Sequence, residues 1–391
     1  MQIDTRVAER LKKINSSSTL AITSKAKKLK SEGKDVVNLA AGEPDFDTPD
    51  FIKDAAVEAI RSGFTKYTPS SGTAELKKLI TQKLKKDNGL DYSPSQVVVS
   101  CGAKHSIFNA VFVLLNKGDE AIMPSPYWVS YPEMVRLAGG TPRFIETEER
   151  NNFRITPQDL EKHITIKTKL LILNSPSNPT GCVYRKEELK EIARICAARK
   201  IFVISDEIYE KIIYDGLRHY SIAAFGSEIQ NLTLTVNGLS KSHSMTGWRI
   251  GYLAGPQDIV DAICRLQDHS TSNPSSISQK AAAAALNAPD EFSRQMCKEF
   301  QKRRDYLAAR LSSIDKLSYI KPEGAFYLFC NISKTKMDPL TFATRLLNEE
   351  MVAVIPGEGF GSSDCIRLSF ATGMDQLIKA MERLQGWITK I

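Results

Sequence analysis

Residues Lys169–Glu207 read KLLILNSPSNPTGCVYRKEELKEIARICAARKIFVISDE. Two short runs, KLLIL and IFVIS, are apolar on both faces, and the amphipathic segment KEELKEIARICAARK lies between them. A strand that shows no polar alternation is covered on both sides. Two such strands joined through a helix run parallel, because a tight hairpin cannot connect them.

The pattern continues in both directions. QVVVSCG and DEAIMPSP precede this unit, and LTLTVNG and RIGYLAG follow it. Helical segments such as KHSIFNAVFVLLN lie among them. The expectation is an α/β fold with a mainly parallel sheet, covered by helices on both faces. After QKAAAAALNAPDEFSRQMCKEFQKRRDYLAARL come shorter strands, AFYLFC, VAVIPG and CIRLSFA, and a final helix, MDQLIKAMERLQGWITKI. These read as a second, smaller α/β domain, which suits a chain of 391 residues.

Composition excludes several classes. Hydrophobic residues make up 42% and charged residues 25%, an ordinary globular mixture. No apolar run approaches the roughly 20 residues of a membrane span. The start, MQIDTRVAERLKK, has no apolar signal region, so a cytoplasmic location is expected. Seven cysteines are dispersed without a CxxC pair, which fits free thiols in a reducing compartment. Net charge is +8, but the bases alternate with acids as on solvated helix faces, and no nucleic-acid motif accompanies them. Five histidines without HExxH or a Cys/His cluster argue against a metal.

In such sheets, ligands bind beyond the carboxyl ends of the strands. Four ends carry informative residues. Gly102, Ala103 and Lys104 follow QVVVSC and open a helix, whose free amides suit an anion, although a plain tight turn reads equally well. Asn178 follows KLLILN, held between Pro176 and Pro179. Asp206, Glu207 and Tyr209 follow IFVIS. A buried acid there is costly unless a cation meets it, and strand alternation keeps Asp206 and Glu207 from facing the same way. Ser240 and Lys241 follow LTLTVNGL, with Arg249 eight residues on. Desolvation at this place favours the neutral, nucleophilic amine. A phosphate grip, an acid for a ring NH⁺, donors for a phenolic oxygen and an imine-forming lysine together match one common cofactor, pyridoxal 5′-phosphate. No GxGxxG or GxxxxGK[ST] is present to suggest a nucleotide.

The motifs AAGEPDFDTP, KYTPSSG, SPYWVSYPEM, NSPSNPTG, SDEIYE, NGLSKSHSMTGWRIGY, PEGAFY and IRLSFAT extend over nearly the whole chain. With them, the chain resembles the class I, fold-type I pyridoxal-phosphate aminotransferases, in particular bacterial aspartate aminotransferases of the thermophile-like subgroup. The resemblance implies a large cofactor-binding domain, 48–284, with a seven-stranded sheet. It implies a small domain made of 1–47 and 285–391, moving as a lid.

It also implies roles. Lys241 carries the cofactor and shuttles the substrate's α-proton; Asp206 pairs with the pyridine nitrogen. Asn178 and Tyr209 bond the ring oxygen, and Trp128 stacks on the ring. Amides of Gly102, Ala103 and Lys104, with Ser240 and Arg249, hold the phosphate. Tyr67 reaches the phosphate of a neighbouring subunit, so a homodimer with shared sites follows. Arg367 grips the substrate α-carboxylate, with Asn178 and the Gly42 backbone. Phe326 walls the site, Thr19 lines its distal end, and Lys104 takes the distal carboxylate. The run LQDHSTSNPSS lacks the intersubunit arginine that serves this purpose in the other branch. The substrates implied are amino acids and 2-oxo acids, with aspartate the main donor; an aromatic or prephenate-type aminotransferase and a C–S lyase are the rivals. His243 stands where relatives often carry an aromatic residue, without an evident reason.

Overall fold

The computed structural model describes residues 6–14 and 18–390, without the side chains of 13 and 18–21. Strand β1 (Val37–Asn38) enters first. The large sheet follows, with β2 (Val97–Ser100), β3 (Glu120–Ser125), β4 (Thr141–Glu146), β5 (Thr168–Asn174), β6 (Phe202–Asp206), β7 (Thr233–Gly238) and β8 (Gly251–Ala254). Their order is β2-β8-β7-β6-β5-β3-β4. Every strand is parallel except β8, which runs antiparallel to both β2 and β7.

The apolar runs fall where the sequence places them because both faces are covered. On one face Met123, Ile172, Ile204 and Val236 pack against Ile107 and Val111 of the helix Ala103–Leu114. On the other, Leu171, Leu173 and Val203 meet Leu189, Ile192 and Cys196 of the helix Lys186–Arg199. The seventh strand, β4, escaped the apolar-run reading. It is a half-exposed edge of sequence TPRFIE, whose outward residues face water.

A second sheet orders β12 (Ile355–Pro356), β13 (Cys365–Ser369), β10 (Tyr327–Asn331) and β9 (Ser318–Tyr319), all antiparallel. Strand β1 pairs with β11 (Val352–Ala353), so the segment before the large sheet joins the end of the chain. The long helix Glu291–Leu311 packs here through Met296, Phe300 and Leu307. Among the described residues no helix is long and apolar enough to cross a membrane.

Candidate active site

The carboxyl ends of β2, β5, β6 and β7 open into one cavity of about 450 Å³, which Arg367 and Tyr327 of the second sheet also line. Lys241 sits in its wall. Its Nζ donates to the Gly42 carbonyl at 2.6 Å and lies 5.8 Å from the Phe326 ring centroid. The ammonium is pulled down to about 8, chiefly by burial; Glu43 opposes the shift, and Arg367 and Arg249 reinforce it.

Asp206 ends β6 and is 4% exposed. It accepts from the Tyr131 hydroxyl at 2.6 Å and from the Ile208 amide at 3.3 Å. Burial nevertheless pushes its carboxyl up to about 6. Glu207 turns to the opposite side, as strand alternation requires, and accepts from Ser205, Ser221 and Asn88.

Arg367 is 5% exposed. One guanidinium nitrogen donates to Asn178 Oδ1 at 2.9 Å and another to the Ala40 carbonyl at 3.0 Å, while Nε has no partner. The group lies on the Tyr327 ring, 4.3 Å from its centroid. Asn178 is fixed from behind by its own amide, which donates to Asn174 Oδ1 at 2.8 Å. Tyr209 shares a 2.9 Å hydrogen bond with the Tyr327 hydroxyl, and burial holds its phenol well above the usual value.

At the end of β2, Arg249 lies across the turn, donating to Thr246 and Cys101 carbonyls at 2.9 and 3.2 Å. Gly102 permits this: its φ is +92°, and a Cβ there would stand 2.4 Å from the Arg249 guanidinium. Gly251 serves likewise, since a Cβ would strike the Ala103 amide nitrogen at 2.1 Å. The Ala103 and Lys104 amides are left unpaired by the backbone at this helix start, but the Gly102 amide is not, because it donates to the Ser100 carbonyl at 2.7 Å. Gly102 thus also leaves the room that Arg249 occupies. Ser240 lines the same end and is buried.

Trp128 lines the cavity, with Lys104 Nζ 4.8 Å above its ring. Burial, then Arg249, lowers the Lys104 ammonium. Phe326 is fully buried behind Tyr209, so at this corner the cavity is faced by its neighbour Tyr327. Tyr67 stands apart, 93% exposed on the single chain. The side chain of Thr19 lies outside the described residues. His243 points away, buried, with Nδ1 2.8 Å from Ser242 Oγ, and burial drops its ring to about 4.

The residues missed from sequence are Tyr131, Asn174, Tyr327 and Glu43, all lining the cavity. Tyr131 stands in the first turn of the helix Ser130–Leu137, three residues after Trp128.

A buried guanidinium with an orphaned Nε calls for a carboxylate, and a buried acid raised to about 6 calls for a cation. A lysine poised near neutrality stands on the same wall. These donors fit pyridoxal 5′-phosphate together with an amino acid. The family model described as aminotransferase class I and II matches residues 34–384. The chain belongs to that family. Among aminotransferases, the aspartate aminotransferase of Bacillus subtilis (strain 168) is 50% identical over 390 residues, covering 98% of this chain and 99% of its own. The crystal structure of the Rhizobium meliloti aspartate aminotransferase matches with a TM-score of 0.95 at 41% identity, covering 99% of each chain. The Thermus thermophilus enzyme with maleate matches at 0.93 and 41%, covering 98% of this chain and 100% of its own.

Proposed function

We propose that this aminotransferase moves the amino group of L-aspartate to 2-oxoglutarate, giving oxaloacetate and L-glutamate, with pyridoxal 5′-phosphate held in the cavity. The observation that carries this reading is Arg367, buried, short of one acceptor and free of any acid partner among the described residues. It suits an α-carboxylate gripped in a bidentate fork. Lys104 stands over Trp128 as a second cation for a distal carboxylate. Maleate, in the Thermus thermophilus structure, is likewise a dicarboxylate.

When bound, the cofactor supplies an aldehyde that condenses with amines and a ring that takes up the electron pair left at the substrate's α-carbon. The free amides of Ala103 and Lys104, with Ser240 and Arg249, hold its phosphate. Asp206 keeps a proton on the ring nitrogen, and Tyr131 keeps Asp206 in place. Asn178 and Tyr209 bond the ring oxygen, and Trp128 covers one face. Lys241, whose burial makes the neutral amine accessible far below its usual pH, attacks as a nucleophile and then accepts the α-proton at Nζ and returns it.

Tyr67, exposed on one chain, serves the phosphate of a second copy, so the active form is a homodimer. Residues 48–284 form the cofactor domain, and 1–47 with 285–391 form a lid that excludes water. The enzyme works in the cytoplasm. The test is a steady-state donor screen against 2-oxoglutarate with aspartate, tyrosine, phenylalanine and kynurenine. Aspartate should give the highest kcat/KM; an aromatic donor at the top would favour the aromatic alternative.

A further inference from the structure

The carbonyl that receives the Lys241 hydrogen bond belongs to Gly42, and the next residue is an acid. Glu43 lines the same cavity as Lys241. Its carboxylate is aimed, because Thr246 Oγ1 donates to Oε2 at 2.7 Å. Thr246 lies in the turn that follows Lys241, so both ends of this bond are fixed relative to the amine.

The segment carrying Glu43 is strapped down further along. Arg303 of the long helix donates to Asp45 at 2.7 Å and lies over the Phe46 ring. Thr48 donates to the Ser244 carbonyl at 2.7 Å and accepts from the Trp248 indole at 3.0 Å. Gly42 and Glu43 thus reach Lys241 from a segment pinned at both the lysine turn and the second sheet's helix.

Around Lys241 the cavity wall holds two acids, Glu43 and Asp206, against the cations Arg249, Arg367 and Lys104. The phenols of Tyr131, Tyr209 and Tyr327 complete the titratable groups, with Lys27 on the same wall. Asp206 is already engaged by Tyr131. Burial and the two guanidinium groups drive the proton off Lys241. A base that must accept a proton and hold it through a transfer needs an opposing negative charge.

We propose that Glu43, oriented by Thr246, is the counter-charge of Lys241, a positioning residue that lets the freed lysine hold the proton it takes from substrate. This rests on the reading of Lys241 as the reactive amine. Glu43 touches neither substrate nor cofactor in this role and acts through Lys241 alone.

The test is trace acetylation of the cofactor-free full chain with acetic anhydride from pH 6 to 10, with labelling of Lys241 followed by peptide mass spectrometry. Glu43→Gln should lower the pH midpoint of Lys241 labelling, by less than about one pH unit because the carboxylate is exposed and partly screened by solvent. Glu43→Asp should restore most of it. Thr246→Val, which only releases the carboxylate, should give a smaller fall and keeps the test available if Glu43→Gln does not fold. The low-pH limb of kcat for the loaded enzyme, measured once substrate has freed Lys241, should move down in the same direction. Identical labelling midpoints in wild type, Glu43→Gln and Thr246→Val would overturn the proposal. So would a loss of kcat that is equal at all pH values, which is what a merely structural role produces. Labelling requires no turnover, so failure of the wider functional reading would appear separately, in the donor screen.

Discussion

The hydroxyl of Tyr131 donates to the carboxylate of Asp206 at 2.6 Å, inside a wall where Asp206 has no ion-pair partner among the described residues. Burial outweighs that bond, and the carboxyl titrates near 6 instead of 3.8. Between those values the folded chain keeps a proton that the unfolded chain has released. Stability of the cofactor-free protein therefore falls as pH rises from about 4 to 6. Asp206→Asn should lack this loss and gain on wild type by about 3 kcal/mol at most across the window, in urea unfolding at pH 4 and pH 7. Asp206→Ala should retain the cofactor yet lose at least about 10³-fold in kcat, the scale of removing a preorganised electrostatic partner. Near-normal turnover would hand the role to another acid.

Lys241 shifts the other way. Its ammonium titrates near 8 when folded and near 10.5 when not. From about 8 to 10.5 the unfolded chain holds the extra proton, so this group makes the cofactor-free protein more stable as pH rises. Lys241→Ala should flatten that rise. In the loaded protein it should leave cofactor bound through phosphate and ring contacts, with no lysine trapped by borohydride. A trapped lysine elsewhere would remove Lys241 from its place.

Lys104 should govern preference for acidic donors. Its amide lies at the start of the helix Ala103–Leu114, while its ammonium stands above Trp128 in the cavity. Lys104→Met should spare cofactor binding and lower kcat/KM for aspartate and glutamate by about 10–100-fold, as for loss of one charge-assisted bond. Phenylalanine, without a distal charge, should be affected little. An equal loss for both donor classes would mean that the residue acts on the cofactor or the fold.

The proposed shared site is tested at Tyr67, which is 93% exposed on the single chain. Activity per chain should fall on dilution in step with dimer dissociation measured by sedimentation. Tyr67→Phe should weaken cofactor retention only modestly. Full activity from a monomeric preparation would end the shared-site account.

Strands buried on both faces were legible because burial writes itself as an unbroken apolar run. The edge strand Thr141–Glu146 was not, because its outward residues are polar. Asp206 was separated from Glu207 by alternation alone, and the structure turns them to opposite sides. The wall beyond the strand ends was harder to read. Tyr327 faces the cavity although its neighbour Phe326 was expected there, and the bond from Tyr131 to Asp206 joins residues 75 positions apart. Nothing in local spacing encodes such a contact. The occupied Gly102 amide was equally invisible, because it depends on the tight turn back to Ser100.

The most direct test is a single half-reaction. L-Aspartate alone, added to the pyridoxal-loaded enzyme, should convert the bound cofactor to its pyridoxamine absorbance and release one oxaloacetate per site, with no ammonia. Subsequent 2-oxoglutarate should restore the original spectrum and yield one glutamate. An unchanged spectrum with aspartate, or release of ammonia with the cofactor still in its aldehyde form, would contradict the account.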